Sequence, residues 1–162
     1  MKIIIEGCDG TGKTTLAKKL AERYGFDIIH MTNQDSNTFG FYYHSIGKEN
    51  VVWDRNMIGE IIYPSIFDRK ANIDYIDLKY LIERARKAGT IILVLTATDD
   101  VIFDRLTARG NEMVGILQNY KEINRRFCNI AILENLPLID TTTLSFEEIC
   151  KRYIDKGEFN NG

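Results

Sequence analysis

The run Gly7-Cys8-Asp9-Gly10-Thr11-Gly12-Lys13-Thr14-Thr15, placed directly after Lys2-Ile3-Ile4-Ile5-Glu6, constrains this chain more than any other stretch. The short apolar run Ile3 to Ile5 predicts a buried parallel strand. From Lys13 to Tyr24 the pattern changes. Leu16, Ala17, Leu20 and Ala21 are apolar while Lys18, Lys19 and Glu22 are polar, which predicts an amphipathic helix. The residues between them fit G-x-x-x-x-G-K-[ST]. Strand, glycine-rich turn and helix in this order aim backbone N–H groups and the positive end of a helix at one spot, which suits phosphate. Gly7, Gly10 and Gly12 let the backbone turn inward, and Thr11 and Thr15 complete the loop. Lys13 can then reach the β- and γ-phosphates of a nucleoside triphosphate, and the Thr14 hydroxyl can hold Mg²⁺.

The remainder of the chain reads as one domain, residues 1–162, long enough to bury a core. A formal net charge of -2 provides no overall basic field for a nucleic acid polymer or an anionic membrane, so any anion site must be built from local cations. The three cysteines, Cys8, Cys128 and Cys150, are odd in number and far apart, offering neither a disulfide framework nor metal-ligand spacing. With no signal-peptide stretch and no run of membrane-spanning length, a reducing cytoplasm is the expected location.

Strand and helix signals alternate along the sequence. Asp27–His30, Asn50–Asp54, Thr90–Thr96 and Leu136–Asp140 read as further short buried strands, Pro137 fitting only near the start of the last. Helices are expected over Phe39–Ile46, Ile58–Ile66 (with Pro64 a break or kink), Asp74–Ala88, Thr98–Ala108, Met113–Asn135 and Ser145–Lys156. Thr98 is expected to cap its helix, and Ser145 with Glu148 to form a capping box. The tail Gly157–Gly162 is expected to fray. Such alternation implies a parallel sheet with helices on both faces. Ligands of that architecture sit beyond the C-terminal ends of the strands. The Asp9 loop, His30, Asp54 and Thr96 all fall there.

A second chemical signal is Trp53-Asp54-Arg55. An acid at a strand end beside a phosphate loop can orient Mg²⁺ through water or accept a proton, and Arg55 can grip an acceptor phosphate bidentately. The alternative is an ion pair that merely caps the strand. A third signal is Arg105 and Arg109, four apart and so on one helix face, followed by the hinge-permitting Gly110. Among weaker candidates, Phe39 or Tyr42 could stack on a base, and Arg69 could reach an acceptor phosphate or simply lie on the surface. Cys8 sits where a helix N-terminus can lower a thiol pKa, although filling the loop is the simpler role. His30 and His44 lack partners at metal-ligand spacing.

Glu6-Gly7-x-Asp9-Gly10-x-Gly12-Lys13-Thr14-Thr15, with Asp54-Arg55 and Tyr63, resembles the thymidylate kinases and the wider group of P-loop nucleoside monophosphate kinases. The resemblance implies a three-layer α/β/α P-loop kinase fold with a five-stranded parallel sheet and a small arginine-bearing lid at about residues 105–113. It implies ATP and Mg²⁺ as the phosphoryl source. The acceptor would be a deoxynucleoside monophosphate, dTMP-like, phosphorylated to the diphosphate. Lys13, Asp54, Arg55, Arg105 and Arg109 would carry the chemistry. Asp9 would contact the acceptor sugar, Arg55 its phosphate, and Phe39, Tyr42, Tyr63 and Arg69 would line its site.

The chain departs from the thymidylate kinase pattern at Gly59, at Pro64 and at His30-Met31-Thr32-Asn33, all on the acceptor side. The first alternative is a deoxynucleoside kinase acting on a 5′-hydroxyl. Those enzymes usually carry a glutamate after the second strand, and none stands between His30 and Gly47. A switch GTPase would show an Asn-Lys-x-Asp run, which is absent. A polynucleotide-end kinase would favour a basic groove. A non-catalytic nucleotide-binding module is disfavoured by retention of Lys13, Asp54 and both lid arginines. The apolar face of Ile58–Ile66 could serve a homodimer, as in the thymidylate kinase group, or pack on the sheet.

Overall fold

Five strands, β1 (Lys2–Gly7), β2 (Asp27–His30), β3 (Val51–Asp54), β4 (Thr90–Thr96) and β5 (Leu138–Asp140), form one parallel sheet in the order β2-β3-β1-β4-β5. This comes from a computed structural model that describes residues 1–32, 38–110 and 114–156. The helices are α1 (Lys13–Tyr24), α2 (Phe39–Ser45), α3 (Gly59–Ile66), α4 (Tyr75–Lys87), α5 (Asp99–Ala108), α6 (Val114–Leu133) and α7 (Phe146–Ile149), the last running into a π-helical turn at Cys150–Ile154. Met113 and the tail 157–162 lie outside the described residues.

Side chains alternate across the sheet, and each face has its own core. Ile4, Trp53, Ile92 and Val94 pack with Leu78, Leu81, Ile123 and Phe127 from α4 and α6. Ile3, Ile5, Val52 and Leu93 pack with Leu16 and Leu20 of α1 and with Ile149. The result is the expected three-layer α/β/α arrangement. At its centre Ile3, Ile4 and Ile5 are wholly buried, because β1 is paired on both edges, with β3 and with β4.

Three local expectations need correction. The second strand is not buried: β2 is one edge of the sheet, paired among the described residues with β3 alone, and Asp27, Ile28 and His30 are exposed. Pro64 does not break α3, which runs through to Ile66 with Phe67 N–H bonded to Tyr63 O at 3.0 Å and Arg69 N–H to Pro64 O at 2.8 Å. Thr98 is the N-cap of α5, but its side chain makes no cap hydrogen bond; its own N–H donates instead to Thr142 Oγ1 at 3.0 Å. The Ser145–Glu148 capping box forms as expected, and a second, Asp74–Asp77, opens α4. Pro137 stands just before β5, where its carbonyl accepts from Val94 N–H at 2.9 Å and no N–H is required of it. Ile58 and Ile62 are buried within the chain's own core, where α3 packs on α6.

Candidate active site

The loop between β1 and α1 closes on its own backbone. Thr11 Oγ1 donates to Cys8 O at 2.7 Å and Lys13 Nζ donates to the same oxygen at 2.8 Å. Gly7 cannot be replaced: its φ is +140°, and a Cβ there would lie 2.5 Å from Leu95 O of the neighbouring strand. Gly12, at φ 93°, turns the chain into α1, whose first turn presents Thr14 and Thr15 at the surface. Lys13 is buried, and burial pulls its pKa down against the opposing charge of Asp9.

The end of β3 meets this loop. Thr14 Oγ1 donates to Asp54 Oδ2 at 2.6 Å, and His30 Nδ1 lies 2.9 Å from the same oxygen. Asp54 is almost wholly buried, and its Oδ1 has no hydrogen-bond partner. A buried carboxylate oxygen left with both lone pairs, next to a loop hydroxyl, is a hard-oxygen donor set of the kind Mg²⁺ takes, directly or through water. Thr14 and Asp54 therefore fit the expected metal.

On the other side of the loop, Asp9 is held by two groups. Arg55 Nη2 pairs with Asp9 Oδ1, and Tyr63 OH donates to Asp9 Oδ2 at 2.8 Å. Burial alone would raise the Asp9 carboxyl, but Lys13, Arg55, the Tyr63 hydrogen bond and Arg109 outweigh it and hold it below the usual range. Burial and the Asp9 charge push the Tyr63 hydroxyl up. Asp9 thus anchors both Arg55 and Tyr63, a duty its sequence position did not reveal.

The cleft beside this cluster is a cavity of about 730 Å³. Asp9, Arg55, Tyr63, Tyr42 and Arg69 all line it. Phe39 is a correction: it is not part of the wall. One helical turn puts Phe39 and Tyr43 on the face of α2 toward α4, where Phe39 packs on Tyr43 and Tyr80 at ring separations of 6.2 and 6.0 Å. Tyr42, rotated off that face, meets the cavity instead, its hydroxyl donating to Glu60 Oε2 at 3.2 Å. Arg69 stands with its guanidinium 5.8 Å from the Phe67 ring centre.

Arg105 and Arg109, expected in a lid, differ in setting. Arg105 Nη1 donates to Gly10 O at 2.9 Å and to Thr141 Oγ1 at 3.3 Å, while Thr141 Oγ1 donates to Thr11 O at 2.8 Å. Arg105 is thereby fastened to the phosphate loop. Arg109 is exposed at the C-terminal cap of α5, just before Gly110 with φ 77°. Residues 111–113 of the expected lid lie outside the described residues.

Sequence reasoning missed Glu6, Asn56 and Thr141. Glu6 was legible only as an acid ending an otherwise apolar strand, and Thr141 as the first of three threonines after β5. The partner of His30 proved to be Asp54, a pairing no local spacing encodes. Cys8 takes the simpler of its two expected roles: it is wholly buried in the loop, and burial pushes its thiol up to about 12 despite Lys13.

A phosphate loop at the centre of a five-stranded parallel sheet, facing an acid–arginine pair on the next strand, defines a P-loop kinase-like α/β protein. A family model described as an AAA domain, AAA_18, matches residues 3–126, and the chain belongs to that family. The matching model is not specific to the thymidylate kinases, whose motifs the sequence resembles. Cytidylate kinase from Fervidobacterium nodosum is 36% identical over 88 residues, a match spanning 54% of this chain and only 35% of that enzyme. Among solved structures, YorR protein from Bacillus subtilis in complex with phosphorylated GDP superposes with a TM-score of 0.77 at 23% identity, covering 93% of this chain and 92% of that one. Deoxyadenosine kinase from M. mycoides with bound dCTP gives a TM-score of 0.56 at 17% identity, covering 97% and 94%. At these identities the structural likeness speaks for the fold. Among the described residues no helix is long and apolar enough to cross a membrane.

Proposed function

We propose that the chain transfers the γ-phosphoryl group of ATP to a nucleoside monophosphate, a deoxynucleotide by preference. The observation that carries this reading is the Asp9–Arg55–Tyr63 cluster, which puts a guanidinium on the wall of a nucleotide-sized cavity beside the phosphate loop. The acceptor phosphate is anionic at neutral pH, so the site needs positioning and charge neutralisation more than a strong base. Lys13 leaves the Cys8 carbonyl to bond the β- and γ-phosphates. Arg55 holds the acceptor phosphate, and Arg109 closes over the donor phosphates from the hinge at Gly110. Arg105 keeps the loop in place. Thr14 and Asp54 would hold Mg²⁺, which would supply neutralisation of the triphosphate charge. The partial match to a cytidylate kinase supports nucleotide phosphorylation. The shared phosphate-loop and Asp-Arg motifs make dTMP the first acceptor to assay.

A second reading, transfer to a nucleoside 5′-hydroxyl, is favoured by one observation: His30, on the cavity wall, has its Nδ1 2.9 Å from the buried Asp54 Oδ2, and the pair could take a proton from a neutral hydroxyl through His30. ADP release with ATP and Mg²⁺ against each deoxynucleoside monophosphate and each parent nucleoside separates the two. Turnover on monophosphates that Arg55→Ala sharply lowers, to a small residual rate, supports the first. Turnover on nucleosides alone supports the second, and acceptor-independent behaviour throughout overturns both.

A further inference from the structure

Glu6 belongs to the phosphate-loop strand, yet its side chain serves the acceptor half of the site. It shares the sheet face of Ile4, is 1% exposed, and lines the acceptor cavity. Its Oε1 accepts the backbone N–H of Asn56 at 3.2 Å and of Ile58 at 2.8 Å. Between β3 and these two amides stands Arg55. The N–H of Arg55 extends the strand ladder to Ile5 O at 2.9 Å, but its φ is 73°, a left-handed conformation that is strained for a non-glycine residue. The chain therefore turns sharply at the residue whose guanidinium must be placed. It is kept there because one buried carboxylate oxygen draws in the N–H groups of Asn56 and Ile58, one and three residues further on. An apolar residue at position 6 would suit the core better but would leave both amides without an acceptor.

We infer that Glu6 is a positioning residue for the acceptor: it fixes the turn at 55–58 and, through that turn, the place of the Arg55 guanidinium. The inference rests on the reading of Arg55 as the acceptor-phosphate ligand. Arg55 is then held at both ends by acids from the first nine residues, its backbone by Glu6 and its head by Asp9. Burial pushes the Glu6 carboxyl up to about 7 despite Lys13 and Arg55, the cations that face it. The clamp therefore titrates near neutral pH while its geometry does not depend on full ionisation, since a protonated or amide side chain still offers a carbonyl oxygen.

The test compares Glu6→Ala, Glu6→Gln and wild type. The alanine variant is expected to lose about 10²-fold in kcat/KM for the acceptor, the scale of an ångström-sized misplacement, with the KM for ATP unchanged. Glu6→Gln is expected to restore most of it. In an Arg55→Ala background, Glu6→Ala is expected to add nothing. If the alanine variant does not fold, Glu6→Asp, one methylene too short to reach both amides, takes its place. Equal loss toward ATP and acceptor, or full additivity with Arg55→Ala, overturns the inference. A readout independent of turnover is the NMR titration of the Asn56 and Ile58 amides and of the Arg55 Nε–H. In wild type these signals are expected to move with a midpoint near 7, to lose that midpoint in Glu6→Gln, and to shift at all pH values in the alanine or aspartate variant. If wild type phosphorylates no acceptor the functional reading fails, and the amide signals still decide whether Glu6 sets the turn.

Discussion

Thr14 donates a 2.6 Å hydrogen bond to Asp54, 40 residues further along the chain, so the first turn of α1 and the end of β3 share one proton. The bond brings the hydroxyl and the carboxylate to the distance from which both could face one cation. Asp54→Asn keeps the size of the side chain and removes its charge. Turnover is expected to fall by about 10²-fold or more, with the Mg²⁺ concentration for half-maximal activity raised. A Mg²⁺ titration of turnover checks this, and chelation of Mg²⁺ should stop wild-type turnover altogether.

Arg105 and Arg109 should separate kinetically. Arg109→Ala is expected to lower kcat by about 10²–10³-fold while the KM for ATP hardly moves, because its charge is needed chiefly in the transition state. Arg105→Ala removes hydrogen bonds to Gly10 O and Thr141, so it should also lower stability, by about 1–3 kcal/mol. Steady-state kinetics paired with urea denaturation of both variants distinguishes them. Equal stability losses would show that Arg105 does not anchor the loop.

Tyr63→Phe deletes the 2.8 Å hydrogen bond to Asp9 and leaves a buried carboxylate oxygen short of a donor. The expected cost is about 1–3 kcal/mol in urea denaturation, together with a raised KM for the acceptor. A variant as stable as wild type would mean that Arg55 alone satisfies Asp9.

Stability should fall as pH rises through neutrality, owing to Glu6. Its folded pKa, about 7, lies above the ordinary 4.5, so the folded chain holds a proton that the unfolded chain releases. That contribution is fully present below about 4.5 and is lost as pH rises through about 7, amounting to roughly 3 kcal/mol. Asp9, held below the usual range, works the other way, its contribution being lost only in more acid solution. Denaturation of wild type and Glu6→Gln at pH 5 and pH 8 reads the difference: the glutamine variant should gain on wild type at the higher pH. No change in the gap would mean that Glu6 ionises at no cost.

Local chemistry made half of this site legible. The loop from Gly7 to Thr15, the bounds of α1 and the strand ending at Asp54 follow from short patterns, because glycine conformation, helix spacing and strand burial are decided within a few residues. What escaped depends on contacts across the sheet. Glu6 meets Asn56 and Ile58 only because β1 pairs in register with β3, Ile5 beside Asp54. Thr141 meets Arg105 only because β5 lies next to β4. Phe39 went astray for a related reason: aromatic composition marks α2 as apolar, but which of its faces is turned to the cavity depends on where α4 packs. The base of the acceptor is likewise a property of the cavity wall as a whole.

The position of β1 between β3 and β4 has a consequence for how the protein is made. The phosphate loop is translated ahead of its supports, but β1 cannot take its place until Val51–Asp54 and then Thr90–Thr96 have emerged to flank it. Contacts of such long sequence separation form slowly. On the ribosome, the segment that will grip the nucleotide must wait as an unpaired apolar strand, open to chaperones, until more than half the chain has left the exit tunnel.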